Sequence, residues 1–254
     1  MGVIELENLN YRFPGGPPVL RNVNLSISTG TLVVIAGENG SGKTTLLRHL
    51  NGLLLPDSGK VIIDGRPLVD DLRRARQLVG MMFQDADSQI VGETVGADVA
   101  FGPENLCLDP HDVSEKVAAA LAAVGLTALA DQRPNLLSGG EKRRLSIAGI
   151  LAMEPKIVVF DEPFASLDYP GTQQVLKEIL KLKQSGRTVL VTTHDLEKII
   201  YYADRLIIMH AGKIVRDGIP DDVVGEVETF GVRQPCASRM GLEAAPWHSG
   251  RPSV

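Results

Sequence analysis

The stretch Gly37-Glu-Asn-Gly-Ser-Gly-Lys-Thr-Thr45 constrains this chain more than any other. Its glycines let successive backbone N–H groups turn toward phosphate oxygens, Lys43 reaches the β/γ-phosphates of a nucleotide, and the Thr44 hydroxyl is placed to bind Mg²⁺. The apolar run Thr31-Leu-Val-Val-Ile-Ala36 before it reads as a buried strand, and Lys43 to Asn51 after it reads as a helix, so the helix N-terminus faces the same anion. Asn39, Gly40, Ser41, Gly42, Lys43, Thr44 and Thr45 are therefore the expected nucleotide contacts, in a loop at the carboxyl end of a strand.

A second constellation follows the strand-like Ile157-Val-Val-Phe160, where Asp161 and Glu162 emerge side by side. Asp161 is expected to hold the metal through its water shell, together with Thr44. Glu162 is expected to polarise the water that attacks the γ-phosphorus. A surface acidic pair fits poorly behind four residues of buried type. His194 follows the apolar strand Thr188 to Thr193 and can meet the γ-phosphate from the far side, although a histidine there, taken alone, reads as structural before catalytic. Between these two regions lies Leu137-Ser-Gly-Gly-Glu141. Ser138, Gly139 and Gly140 are expected to precede a helix from Glu141 to Leu151, offering free N–H groups and the positive end of a dipole. An ordinary cap explains Ser138 but not two glycines beside it. Lys142, Arg143 and Arg144 read as a solvated basic face.

The chain organises around these motifs as an α/β protein. Apolar strands near Val33, Val79, Ile157, Val189 and Ile207 alternate with helical stretches around Leu46, Val117, Leu145 and Leu176, the pattern of a parallel sheet covered by helices. Val3 to Leu9, Val23 to Ile27 and Lys60 to Ile63 read as an antiparallel part. From about 86 to 150 the pattern turns helical, with turns at Gly102-Pro103, Asp109-Pro110 and Arg133-Pro134, and reads as an inserted subdomain. One domain is expected over 1–230, followed by an irregular tail over 231–254 that holds Trp247.

The 254 residues carry 44% apolar side chains and a net charge of −5, enough for an ordinary core and weak evidence against a nucleic-acid partner. Cys107 and Cys236 read as reduced thiols. No apolar run approaches the ~18 residues a membrane span needs, and Glu5 and Glu7 stand where a signal peptide would be basic and then apolar, so a cytoplasmic location is expected.

In this order and spacing the motifs resemble the ATP-binding cassette (ABC) ATPases over roughly residues 3 to 225. The resemblance implies a phosphate-loop NTPase fold with a RecA-like parallel core, an antiparallel β subdomain and a helical signature subdomain. It implies ATP and Mg²⁺ as the bound species, Gln84 as the Q-loop glutamine near the γ-phosphate and metal, Ser166-Leu167-Asp168 as the D-loop, and His194 as the switch histidine. Phe13 falls where the family stacks a ring on adenine, an alternative to packing as a turn residue under Pro14. It also implies that Ser138, Gly139 and Gly140 serve the γ-phosphate of a second subunit, as a homodimer or a heterodimer. The stretch Phe83 to Leu106 is similar to energy-coupling factor ATPases, which implies an importer of cobalt, nickel or a vitamin, docked on an integral membrane subunit and a substrate-capturing membrane subunit. Ala86 departs from the proline common at its position. A soluble ABC ATPase acting on nucleic acid or ribosomes is the alternative, disfavoured by a single compact acidic cassette.

Overall fold

A strand such as Leu32–Ala36, apolar at every position, needs cover on both faces, and a parallel sheet between two layers supplies it. The computed structural model describes residues 2–85, 87–242 and 246. In chain order the elements are β1 (Ile4–Arg12), β2 (Pro18–Ile27), β3 (Leu32–Ala36), α1 (Lys43–Leu50), β4 (Ser58–Ile63) and β5 (Arg66–Pro67). Then come α2 (Leu72–Leu78), β6 (Val79–Met82), α3 (Val95–Asn105), α4 (Pro110–Val124), α5 (Gly139–Ala152) and β7 (Ile157–Asp161). The last are α6 (Tyr169–Gln184), β8 (Thr188–Thr193), β9 (Arg205–His210), β10 (Lys213–Gly218), α7 (Pro220–Val223) and α8 (Cys236–Arg239).

Six strands form the central sheet in the order β10-β9-β3-β8-β7-β6, parallel except for the antiparallel edge strand β10. Four more form an antiparallel sheet in the order β2-β1-β4-β5. The two faces of β3 feed two different cores. Leu32, Val34 and Ala36 pack with the helical side around Leu145, Phe160 and Leu176, while Val33 and Ile35 pack toward α1 and the antiparallel sheet. In β1 the inward side chains Ile4, Leu6, Leu9 and Tyr11 complete that second core.

The helical subdomain is α3, α4 and α5, packed on one another. Local signals set its ends. Asp109 accepts the His111 N–H at the start of α4, Pro110 fills the first turn, and Gly125 at φ 69° closes the helix. At α5, Ser138 and Glu141 form a reciprocal capping box. The helix starts earlier than expected: Gly139 and Gly140 lie inside its first turn instead of preceding it, because Ser138 takes the capping position.

The described part of the C-terminal tail is docked. Val232 is 1% exposed, the backbone of Arg233 forms a parallel β-bridge with that of Asp195, and the Cys236 N–H donates to a Glu197 carboxylate oxygen at 2.7 Å. Residues 232–236 are thereby tied to the loop that follows His194. Trp247 and Ala86 lie outside the described residues. Cys107 and Cys236 are exposed and unpaired.

Candidate functional site

Gly42 caps α1 at φ 103°, a backbone that L side chains rarely adopt, and an added Cβ would lie 3.0 Å from Leu20 and 3.2 Å from the Val19 carbonyl. That turn aims the first amides of α1 into a cleft of about 470 Å³ at the carboxyl end of β3. Phe13 and Val19 wall one side, Asn39, Gly40 and Gly42 to Thr45 form the floor, and Gln84, Glu162 and His194 close the other side. Phe13 is 42% exposed, and its ring stands perpendicular to that of Tyr11 with centroids 5.1 Å apart. Ser41 is buried behind the loop and does not line the cleft.

Lys43 is 6% exposed, and its ammonium donates to the Gly37 carbonyl at 2.6 Å and the Glu38 carbonyl at 3.0 Å, bracing the loop from within. Burial pushes its pKa down; the charges of Glu162, Asp161 and Glu38 oppose that push. Beside Lys43 runs a chain of side-chain oxygens. The Thr44 hydroxyl donates to Asp161 Oδ2 at 2.8 Å, and the Thr192 hydroxyl donates to Asp161 Oδ1 at 2.6 Å. Asp161 is 1% exposed and enters no ion pair among the described residues. A buried carboxylate beside a hydroxyl, with no cation touching it, is the donor chemistry that suits Mg²⁺.

Glu162 sits at φ 50°, with its N–H donating to the Thr192 carbonyl and hydroxyl at 3.1 and 3.2 Å. One of its carboxylate oxygens lies 2.9 Å from His194 Nδ1, so Nδ1 is the donor when Glu162 is ionised. His194 is thus joined to the acidic pair. Ser138, Gly139 and Gly140 do not line this cleft. Gly139 borders a separate depression with Gln84, Asp85 and Ser166. A Cβ at Gly139 or Gly140 would meet nothing within 4 Å, so neither glycine is required by packing within its own subunit.

The basic run on α5 needs correction. Arg143 is no solvated side chain: it is 7% exposed and donates to the carbonyls of Ala165, Glu162 and Gln84. Lys142 pairs with Asp87, and Arg144 donates to Gln174. The sequence did carry a signal, since Arg143, Ile147 and Ile150 share the buried face at helical spacing. Thr192 was also missed; its place opposite Asp161 depends on strand register, which only the sheet reveals.

Comparison with known proteins decides the family. The sequence model described as ABC transporter matches residues 20–165. The chain is an ABC transporter ATPase. It is 43% identical over 233 residues, 91% of this chain and 84% of the relative, to the energy-coupling factor transporter ATP-binding protein EcfA of Methanocaldococcus jannaschii. It is 45% identical over 227 residues, 89% and 82% of the two chains, to the protein of the same name in Methanosarcina acetivorans. Among solved structures, cbiO1 from Clostridium perfringens, part of the ABC transporter complex cbiONQ, superposes with a TM-score of 0.81 at 34% identity, covering 90% of this chain and 92% of its own. The ABC transporter cassette MJ0796, solved as a dimer and also as a dimer after hydrolysis with ADP and Pi, gives 0.76 at 29% identity, covering 85% and 98%. The ABC ATPase therefore has the expected fold and hydrolyses ATP.

Proposed function

We propose that this ABC ATPase is the energy-coupling subunit of an energy-coupling factor importer that takes up a metal ion, cobalt or nickel, or a vitamin. The observation that carries the reading is likeness along nine-tenths of the chain to energy-coupling factor ATP-binding proteins. The neighbour cbiO1, itself part of a transporter complex, supports it. Among the described residues no helix is long and apolar enough to cross a membrane. Attachment to the cytoplasmic face therefore falls to partners: an integral coupling subunit and a substrate-capturing membrane subunit.

In this reading the amides of Asn39 to Thr45 and the Lys43 ammonium bind the ATP phosphates, and the exposed ring of Phe13 at the cleft wall stacks on adenine. Thr44 and Asp161, with Gln84 nearby, would hold Mg²⁺, which when bound would neutralise charge developing on the phosphates. Glu162 accepts a proton from the attacking water, and His194 fixes the orientation of its carboxylate. Ser138, Gly139 and Gly140 present the first amides of α5 to the γ-phosphate held on a second subunit. ATP thus joins two chains head to tail and hydrolysis lets them part.

The test is to purify the tagged ABC ATPase from its native cells in mild detergent and identify what accompanies it. Co-purification of a polytopic membrane protein and a second, substrate-capturing membrane protein is expected. Ribosomal or DNA-associated proteins in their place would overturn the importer reading.

A further inference from the structure

We infer that Arg143 is a positioning residue: its buried guanidinium clamps the Glu162–Ala165 turn and so fixes where the Glu162 carboxylate stands relative to Gln84. The inference rests on the reading of Glu162 as the group that activates water. Arg143 comes from the second turn of α5, yet it reaches three backbone carbonyls on two segments that border the nucleotide cleft or follow it. Its Nη2 donates to the Ala165 carbonyl at 2.7 Å and more weakly to the Gln84 carbonyl at 3.4 Å, and its Nη1 reaches the Glu162 carbonyl at 3.4 Å. It enters no ion pair among the described residues. A cation placed this deep without a carboxylate against it is costly unless its hydrogen-bonding capacity is used, and here main-chain carbonyls use it.

The turn it grips needs gripping. The Ala165 N–H closes the turn on the Glu162 carbonyl at 3.2 Å, and non-glycine residues in left-handed backbone stand at both ends, Glu162 at φ 50° and Ser166 at φ 59°. Such conformations persist only where the surroundings over-determine them. Thr192 holds Glu162 from the amide side and Phe164, 4% exposed, anchors the middle; Arg143 holds the carbonyls at both ends. The planar fork of an arginine can address several carbonyls at once, which an ammonium on a flexible stem does less well. The phosphates, by contrast, are held by the loop before α1, an element Arg143 does not touch. Loss of Arg143 should therefore slow hydrolysis while leaving ATP binding in place.

The experiment is a double-mutant cycle of Arg143→Met with Glu162→Gln, measuring kcat, the KM for ATP and thermal stability, with Arg143→Lys alongside. Arg143→Met alone is expected to lower kcat at least tenfold with KM for ATP within twofold, and Arg143→Lys to recover part of the loss. In the Glu162→Gln background the same change should alter the residual turnover less than twofold, because the group it positions is gone. Equal fold-losses in both backgrounds, or a KM that rises as kcat falls, would overturn the inference. Should Arg143→Met not fold, Arg143→Lys runs through the same cycle with the same criteria. Wild-type turnover by Glu162→Gln alone would instead overturn the reading of Glu162, and that corner of the cycle is read before Arg143 is changed.

Discussion

His49 sits fully buried on α1, with Nδ1 2.7 Å from the Thr45 carbonyl and its ring edge-on to Tyr11 at 4.8 Å, directly behind the phosphate loop. Burial lowers its pKa, more than the hydrogen bond to the Thr45 carbonyl and the Asp57 charge raise it. The sign of the consequence follows from proton counting. Below about pH 6.5 the unfolded chain protonates His49 while the folded one resists, so the folded state loses stability as the solution is acidified. His49→Asn keeps a donor for the Thr45 carbonyl but does not titrate. Its urea midpoint should fall less than that of the native protein between pH 7 and pH 5; parallel falls would contradict the assignment. At this scale the sequence exposed the residues whose chemistry is tied to a motif, Lys43, Thr44, Asp161, Glu162 and His194 among them. It concealed Thr192 and Arg143, whose roles arise from what the sheet and α5 place beside Asp161 and Glu162. A basic triplet on a helix looks the same in sequence whether it faces water or a turn of backbone.

The element that most rewards attention is α5, because its first turn is built for two purposes that can be separated. The capping box of Ser138 and Glu141 serves the helix; hydrogen bonds from the Ser138 side chain and backbone also hold the Glu141 carboxyl below its usual pKa. Gly139 and Gly140 serve nothing within their own subunit, since a Cβ at either would stand in open space. Glycine in a helix costs up to about 1 kcal/mol relative to alanine. Gly140→Ala should therefore leave the melting temperature unchanged or higher while ATP hydrolysis falls at least tenfold. A variant that melts lower, or hydrolyses ATP normally, would show that the glycine serves its own helix. Apolar runs and turn residues located the parallel strands of the central sheet, but not the ends of every element: β2 begins at Pro18, five residues before the expected Val23. The start of α5 was not legible either, because two glycines after a serine read as loop until the capping geometry is seen.

At the scale of the whole molecule, the parallel sheet gathers its motifs at the carboxyl ends of three interior strands, with the phosphate loop after β3, the acidic pair at the end of β7 and His194 after β8. The described part of the tail, which the sequence left without pattern, docks on the loop that follows His194. Its anchors are single contacts, Val232 in the core and Arg233 on Asp195, too sparse to produce a periodic signal. Ending the chain at Gly231 exposes a buried valine site and should lower the melting temperature by several degrees, given about 2–4 °C per kcal/mol for a chain of this size. A change under one degree would mean that the docked segment contributes no stability. On the proposed function, one chain holds only half of each ATP site, and sedimentation equilibrium of Glu162→Gln with Mg²⁺ and ATP, alone and combined with Gly140→Asp, measures this. A species of twice the 27.3 kDa chain is expected for Glu162→Gln, and a single chain that still binds ATP once Gly140→Asp is added. Equal masses for the two, whether both single or both paired, would contradict it.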